Sequence, residues 1–153
     1  MKLEKLTAIA ELVSSIAILV TLGYLAVQTR QNTQAIQATV RQAMLAEDRE
    51  LLYWQFENPY LDMVSLDEKE LSPDQQFKVR AFLTAFFRSR ENQWLQYQAG
   101  VIDATTWLTY RSPLVNVLES EVVRENWRFR AARGEFTDGF VAEVDRILGA
   151  IGQ

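Results

Sequence analysis

The residues of this chain with the most unusual chemistry lie together in Arg88-Ser-Arg-Glu-Asn-Gln-Trp94. Arg90 comes four residues after Phe86 and seven after Leu83, so helical periodicity sets a guanidinium on an apolar face. Glu91 on the same helix reaches toward Phe87 and Leu95. A charge on a buried face needs a partner, because an unpaired one is expensive. One reading makes Arg90 or Glu91 the lining of a pocket between helices, with Asn92, Trp94, Tyr97 and Trp107 around it. The other makes the cluster an internal hydrogen-bonded clamp that fixes helix packing, and this is the expectation carried forward. At least one of Glu91 and Asn92 is then buried and hydrogen-bonded. Its candidate cations are Arg111, Arg124, Arg128 or Arg130, on the helices after Asp103 and Ser120.

The remaining chemistry is narrow. The chain has no His and no Cys. That removes Ser–His and Cys–His nucleophiles, His acid–base catalysis, most zinc sites and the Glu-x-x-His pairs of di-iron bundles. Only carboxylate, Lys or Tyr chemistry, or a hard cation on oxygen ligands, survives. No G-x-x-x-x-G-K or G-x-G-x-x-G occurs among the six glycines. No catalytic, cofactor-binding or metal-ligating residue is therefore assigned, and no cofactor is expected. Trp54, Trp94, Trp107, Trp127 and Tyr97 could form a stacking pocket, but at helical spacing they are read as core. Trp127-Arg-Phe-Arg130 resembles a cation–π ladder, which a solvated face explains equally well. Asp67, Glu68 and Glu70, and Glu119 and Glu121, suit exposed loops or helix starts.

The elements that position these residues begin with an apolar run from Leu6 to Val27. A bilayer core of roughly 30 Å needs about 20 helical residues, and this run supplies them. Glu11 is its one ionisable residue; Ser14, Ser15, Thr7, Thr21 and Gly23 are its other breaks. An intramembrane carboxylate is a functional candidate by default. Close to an interface, however, Glu11 can snorkel, protonate, or pair with Lys5 or with Ser14 and Ser15 of a neighbouring copy. A cleavable signal peptide shares the charged start and apolar middle, but this run is longer than such a core, contains Glu11 and lacks a clear cleavage site. Residues 1–30 are thus read as an uncleaved transmembrane anchor.

The pattern Ile36, Val40, Met44, Leu51 and Trp54 predicts that the helix continues as a juxtamembrane segment, residues 31–57, until Asn58-Pro59 stops it. Residues 58–153 are read as the soluble helical domain, with a possible turn between Tyr60 and Leu71. Ser72-Pro73-Asp74-Gln75 is a capping box with proline at the first helical position. The helix it starts runs to Ala99 before Gly100, with Phe77, Val79, Phe82, Leu83, Phe86, Phe87, Trp94 and Tyr97 on its apolar face. Asp103 caps a third helix that Pro113 kinks or divides. Ser120 caps Glu121–Ala132, Gly134 ends it, and Thr137 or Asp138 caps a last helix with Phe140, Val141, Val144, Ile147 and Leu148 inward. No strand-period segment of useful length occurs. The fold class is all-α: an N-terminal transmembrane helix continuing into a small helical bundle.

Three blocks resemble a family of uncharacterised single-span membrane proteins common in proteobacteria. They are Leu22-Gly-Tyr-Leu-Ala-Val-Gln-Thr-Arg-Gln-Asn-Thr33; Glu91-Asn-Gln-Trp-Leu-Gln-Tyr-Gln-Ala-Gly-Val-Ile-Asp103 with Trp107; and Trp127 through Phe136 to Val144-Asp145. Family members often carry an aromatic where Arg90 stands and no proline at the Pro113 position. The resemblance implies anchoring in a bacterial inner membrane and an α-helical domain, and no established activity. The arginines after the span, if they set topology, imply a cytoplasmic domain.

With a formal net charge of −4 and both signs interspersed, no basic patch suggests nucleic acid. The leading expectation is a membrane-tethered, non-enzymatic interaction module. It assembles with itself or serves a larger membrane complex, since a polar Gln/Thr-rich helix leaving the bilayer gains from packing against partners. The competing expectation is a small-ligand sensor or carboxylate enzyme with an interhelical pocket around Glu91.

Overall fold

The structure, a computed structural model, describes residues 2–62 and 71–152. All regular structure in them is helical: α1 Lys2–Glu57, a 3-10 turn Pro59–Leu61, α2 Pro73–Gln98, α3 Ala104–Val117, α4 Glu121–Ala131 and α5 Asp138–Ile151. The all-α expectation holds. The possible connector beyond Asp62 and the acidic group Asp67, Glu68, Glu70 lie outside the described residues.

The chain divides into two units between Thr39 and Val40. In the first, α1 is long and apolar enough to cross a membrane, and none of its apolar stretch is buried. Three of its hydroxyls need no outside partner: Thr7, Ser15 and Thr21 each donate to the carbonyl four residues back. Ser15 thus bonds the Glu11 carbonyl at 2.8 Å, not its carboxylate. Ile36, part of the pattern that predicted the helix's continuation, is exposed, and the helix does continue to Glu57.

In the second unit the end of α1 joins the core. Met44 is buried, and Val40 and Leu51 pack partly against the same cluster. α1 stops at Asn58 as its following proline requires, with the Asn58 side-chain amide donating to the Trp54 carbonyl at 2.9 Å. The capping box is formed: the Ser72 N–H donates to Gln75 Oε1 at 2.9 Å, and the Gln75 N–H to Ser72 Oγ at 3.3 Å. α2 then contributes Val79, Phe82, Leu83, Phe86 and Phe87 to the core. Phe77 does not follow them. At 66% exposure, it lies nine residues before Phe86, half a turn away around the helix and so on the side opposite the core.

Asp103 caps α3, its carboxylate accepting the Thr106 N–H at 2.7 Å. This bond holds the Asp103 carboxyl below the usual aspartate range. Pro113 lies inside α3 and does not divide it. The proline is on the exposed side of the helix, where water can satisfy the carbonyl that loses its donor. Ser120 and Thr137 occupy the caps of α4 and α5, but neither side chain caps. Gly100 and Gly134 both have φ +70°, the left-handed turn that ends α2 and α4 at little cost for glycine.

Candidate functional site

Two charged residues of the α2 cluster are buried, and each is held differently. Arg90, 5% exposed, donates from Nη2 to Asp48 Oδ1 at 2.8 Å and from Nη1 to Gln93 Oε1 at 2.7 Å. The Gln93 amide in turn donates to Asp48 Oδ1 and to Ser89 Oγ, each at 3.3 Å. Ser89 Oγ donates to Glu47 Oε2 at 3.3 Å. The guanidinium is sandwiched by aromatics, 4.8 Å from the Phe86 ring centre and 5.8 Å from that of Tyr110. Burial, with the Asp48 carboxylate adding to it, pushes the Tyr110 hydroxyl above its ordinary value. This network ties the end of α1 to the middle of α2.

Glu91 is 4% exposed and faces α5. Its Oε1 accepts the backbone N–H of Thr137 at 2.6 Å, and its Oε2 accepts from Arg88 Nη1 at 2.9 Å. In a capping box the side chain three residues after the cap would take that N–H. Here that residue is Phe140, buried in the core and unable to accept. Glu91 supplies the missing acceptor from another helix and brings negative charge to the start of α5, where the helix dipole favours it. The expected clamp is present, with different partners. Arg88, one turn back on the same helix, replaces the four arginines named from sequence, and the contact is to α5, not to the helices after Asp103 and Ser120. Asn92 is half-buried, and its carbonyl accepts from Gln96 at 3.5 Å.

The four arginines are engaged elsewhere. Arg111 Nε donates to Glu143 at 3.0 Å, and Arg146 pairs with the same buried carboxylate at 2.6 Å. Arg124 donates to the Leu118 and Glu119 carbonyls at the end of α3 and pairs with Glu121. These contacts hold the Glu121 carboxyl below its usual range, the Arg124 hydrogen bond first among them. Arg128 also pairs with Glu121, and Arg130 with Glu135 at 2.8 Å. No ladder forms across Trp127-Arg-Phe-Arg130: Trp127 is buried while Phe129 points to solvent beneath Arg133.

The tryptophans mostly complete the core, as their helical spacing implies. Trp127 stacks on Phe136 with ring centres 4.7 Å apart and meets Phe87 at 4.9 Å and Phe140 at 5.6 Å. Trp107 is buried and stacks on Tyr97 at 6.2 Å. Trp94 lies against Phe140 at 6.1 Å and over Gly139, where an added Cβ would sit 2.5 Å from the indole. Glycine at the second position of α5 is therefore what lets α2 approach the helix that Glu91 caps. Arg90, Glu91, Trp94, Tyr97 and Trp107 do not line the cleft of this unit. It is next to them, between α1 and α2, and only Asn92 of the named cluster reaches it.

Sequence reasoning missed Asp48, Ser89, Gln93 and Glu143. Asp48 carried a usable signal: it stands four residues after Met44 and three before Leu51, the same polar intrusion on an apolar stripe that marked Arg90. Glu143 likewise stands three residues after Phe140 and four before Ile147. Glu11 is exposed and makes no ion pair among the described residues, and Ser14 is exposed beside it. No group of three or more carboxylates among the described residues could hold a metal ion. Compared with protein-family models, with curated proteins and with solved structures, the chain matches none.

Proposed function

We propose that the chain is a membrane-tethered, non-enzymatic assembly module. In this reading residues 1–30 anchor it as a single pass in a bacterial inner membrane. The helical domain faces the cytoplasm and binds a second copy or a larger membrane complex. The observation that carries the reading is the uncovered apolar surface of α1, whose large apolar side chains among the described residues from Leu3 to Val27 are exposed. Exposed apolar area on this scale takes lipid or protein. The cluster around Glu91 supports the non-enzymatic half. Its buried charges, Arg90 and Glu91, are engaged by internal bonds, and neither lines the neighbouring cleft. Within the second unit, Leu45, Leu52 and Phe56 of α1 are also exposed, at spacings of seven and four residues that place them along one side of the helix.

The absence of cysteine makes a direct test available. Single cysteines at Leu45, Leu52 and Phe56 are oxidised in native membranes and the products separated without reductant. Cross-linked dimers, or a defined heavier adduct, are the expected result. A monomer at all three positions, together with a single-copy particle in mild detergent, overturns the assembly reading. Labelling of a cysteine at exposed Ser112 by an impermeant maleimide, before and after opening the vesicles, tests the cytoplasmic placement.

A further inference from the structure

We infer that the open cleft between the end of α1 and the middle of α2 is a binding site for an organic cation with an apolar body and N–H donors: a protonated amine or a guanidinium. This goes beyond the assembly reading and requires neither a second copy nor a partner protein. The cleft has a volume of about 440 Å³, within the roughly 300–1,000 Å³ of small-molecule sites. Leu51, Trp54 and Ala85 give it apolar walls. Trp54 stacks on Phe82 with ring centres 6.2 Å apart, yet remains 42% exposed. Phe82 therefore fixes the indole while part of it stays open to a ligand.

Charge decides which ligand. The one cation in the lining, Arg88, is committed: its Nη1 donates to Glu91 at 2.9 Å and its guanidinium covers the Phe136 ring at 5.0 Å. The two carboxylates of the lining are not neutralised. Glu47 accepts only the Ser89 hydroxyl at 3.3 Å, and Glu50 has no hydrogen bond or ion pair among the described residues. Two acceptors with unused lone pairs beside an indole complement a cation through charge-assisted hydrogen bonds and cation–π attraction. An anion could reach the remaining Arg88 donors only while sitting against two carboxylates, Glu47 and Glu50. A neutral body would dry the carboxylates without pairing them.

The test uses the full chain in a nonionic maltoside detergent and isothermal titration with benzylammonium, with benzoate as the anion of similar body. The expected result is saturable one-to-one binding of the ammonium and none of benzoate. Glu50→Gln and Trp54→Leu should each weaken it by about fivefold or more, the loss of one charge-assisted or cation–π contact. Glu125→Gln, on exposed α4 surface outside the cleft, leaves it unchanged. Because Glu50 is exposed and unpaired, Glu50→Gln keeps the fold and decides the matter even if Trp54→Leu does not. No saturable binding by the unaltered protein, equal binding after Glu50→Gln, or benzoate binding as tightly as the ammonium overturns the inference.

Discussion

Removal of the Glu91 carboxylate should separate α2 from the start of α5. Three contributions set the magnitude. The bond to the Thr137 N–H joins a charged acceptor to a backbone donor at 2.6 Å, worth about 1.5–3 kcal/mol. Negative charge at the α5 N-terminus, where Thr137 is exposed, adds about 0.3–1 kcal/mol. The Arg88 pair adds little, because the Arg88 side chain is 53% exposed and water solvates it once Glu91 is gone, so less than about 1 kcal/mol is at stake. Glu91→Ala should therefore cost about 3 kcal/mol. Glu91→Gln keeps one acceptor for Thr137 and should cost about 1 kcal/mol. The assay is thermal unfolding of the full chain in detergent, followed by near-ultraviolet circular dichroism of the tryptophan core so that α1 does not dominate the signal. The alanine variant should lose roughly 10 °C in Tm or more, and the glutamine variant about a third of that. Equal Tm values for Glu91→Ala and the unaltered chain, or a glutamine variant as unstable as alanine, would refute the remote-cap argument.

Four further outcomes follow from the same contacts. Asp48→Ala strands the buried Arg90 guanidinium and should destabilise the domain by about 3 kcal/mol or more in the same assay, whereas the paired change Asp48→Leu with Arg90→Met should restore most of it. Gly139→Ala drives a methyl into Trp94 and should cost about 1–3 kcal/mol despite alanine's better helix propensity, the loss largely disappearing in a Trp94→Leu background. Gly149→Ala, in open space on α5, should stabilise by about 0.5–1 kcal/mol. The Asp103 carboxyl titrates lower in the folded chain than in the unfolded one. Its contribution is thus present above about pH 4 and is lost as pH falls through the folded value. Asp103→Asn should flatten that part of the stability–pH curve while keeping the cap.

The features legible in the sequence were those set by local chemistry. Ser72-Pro73 and Gln75 specify a helix start through atoms three residues apart, and Asn58-Pro59 ends α1 by a clash that needs no tertiary context. Arg90 and Glu91 were recognisable as charges on a buried helix, since period alone places them there. Their partners were not. Asp48 is 42 residues from Arg90 and Thr137 is 46 from Glu91, and which helices meet is decided by packing. The α5 cap shows why: its own sequence offers Phe140 where an acceptor is usual, a local deficiency visible only as a question until α2 answers it. Phe77 was placed inward by its apolar type alone: nine residues before Phe86, it falls on the opposite side of α2, where the helical period leaves it in solvent.

Tethering requires that α1 reside in a membrane with residues 1–30 retained. The most direct measurement is carbonate extraction of membranes from cells making the full chain, followed by intact mass of the recovered protein. The protein should remain in the membrane pellet with a mass that includes the segment up to Val27. Release into the carbonate supernatant, or a mature protein beginning after Val27, would contradict it.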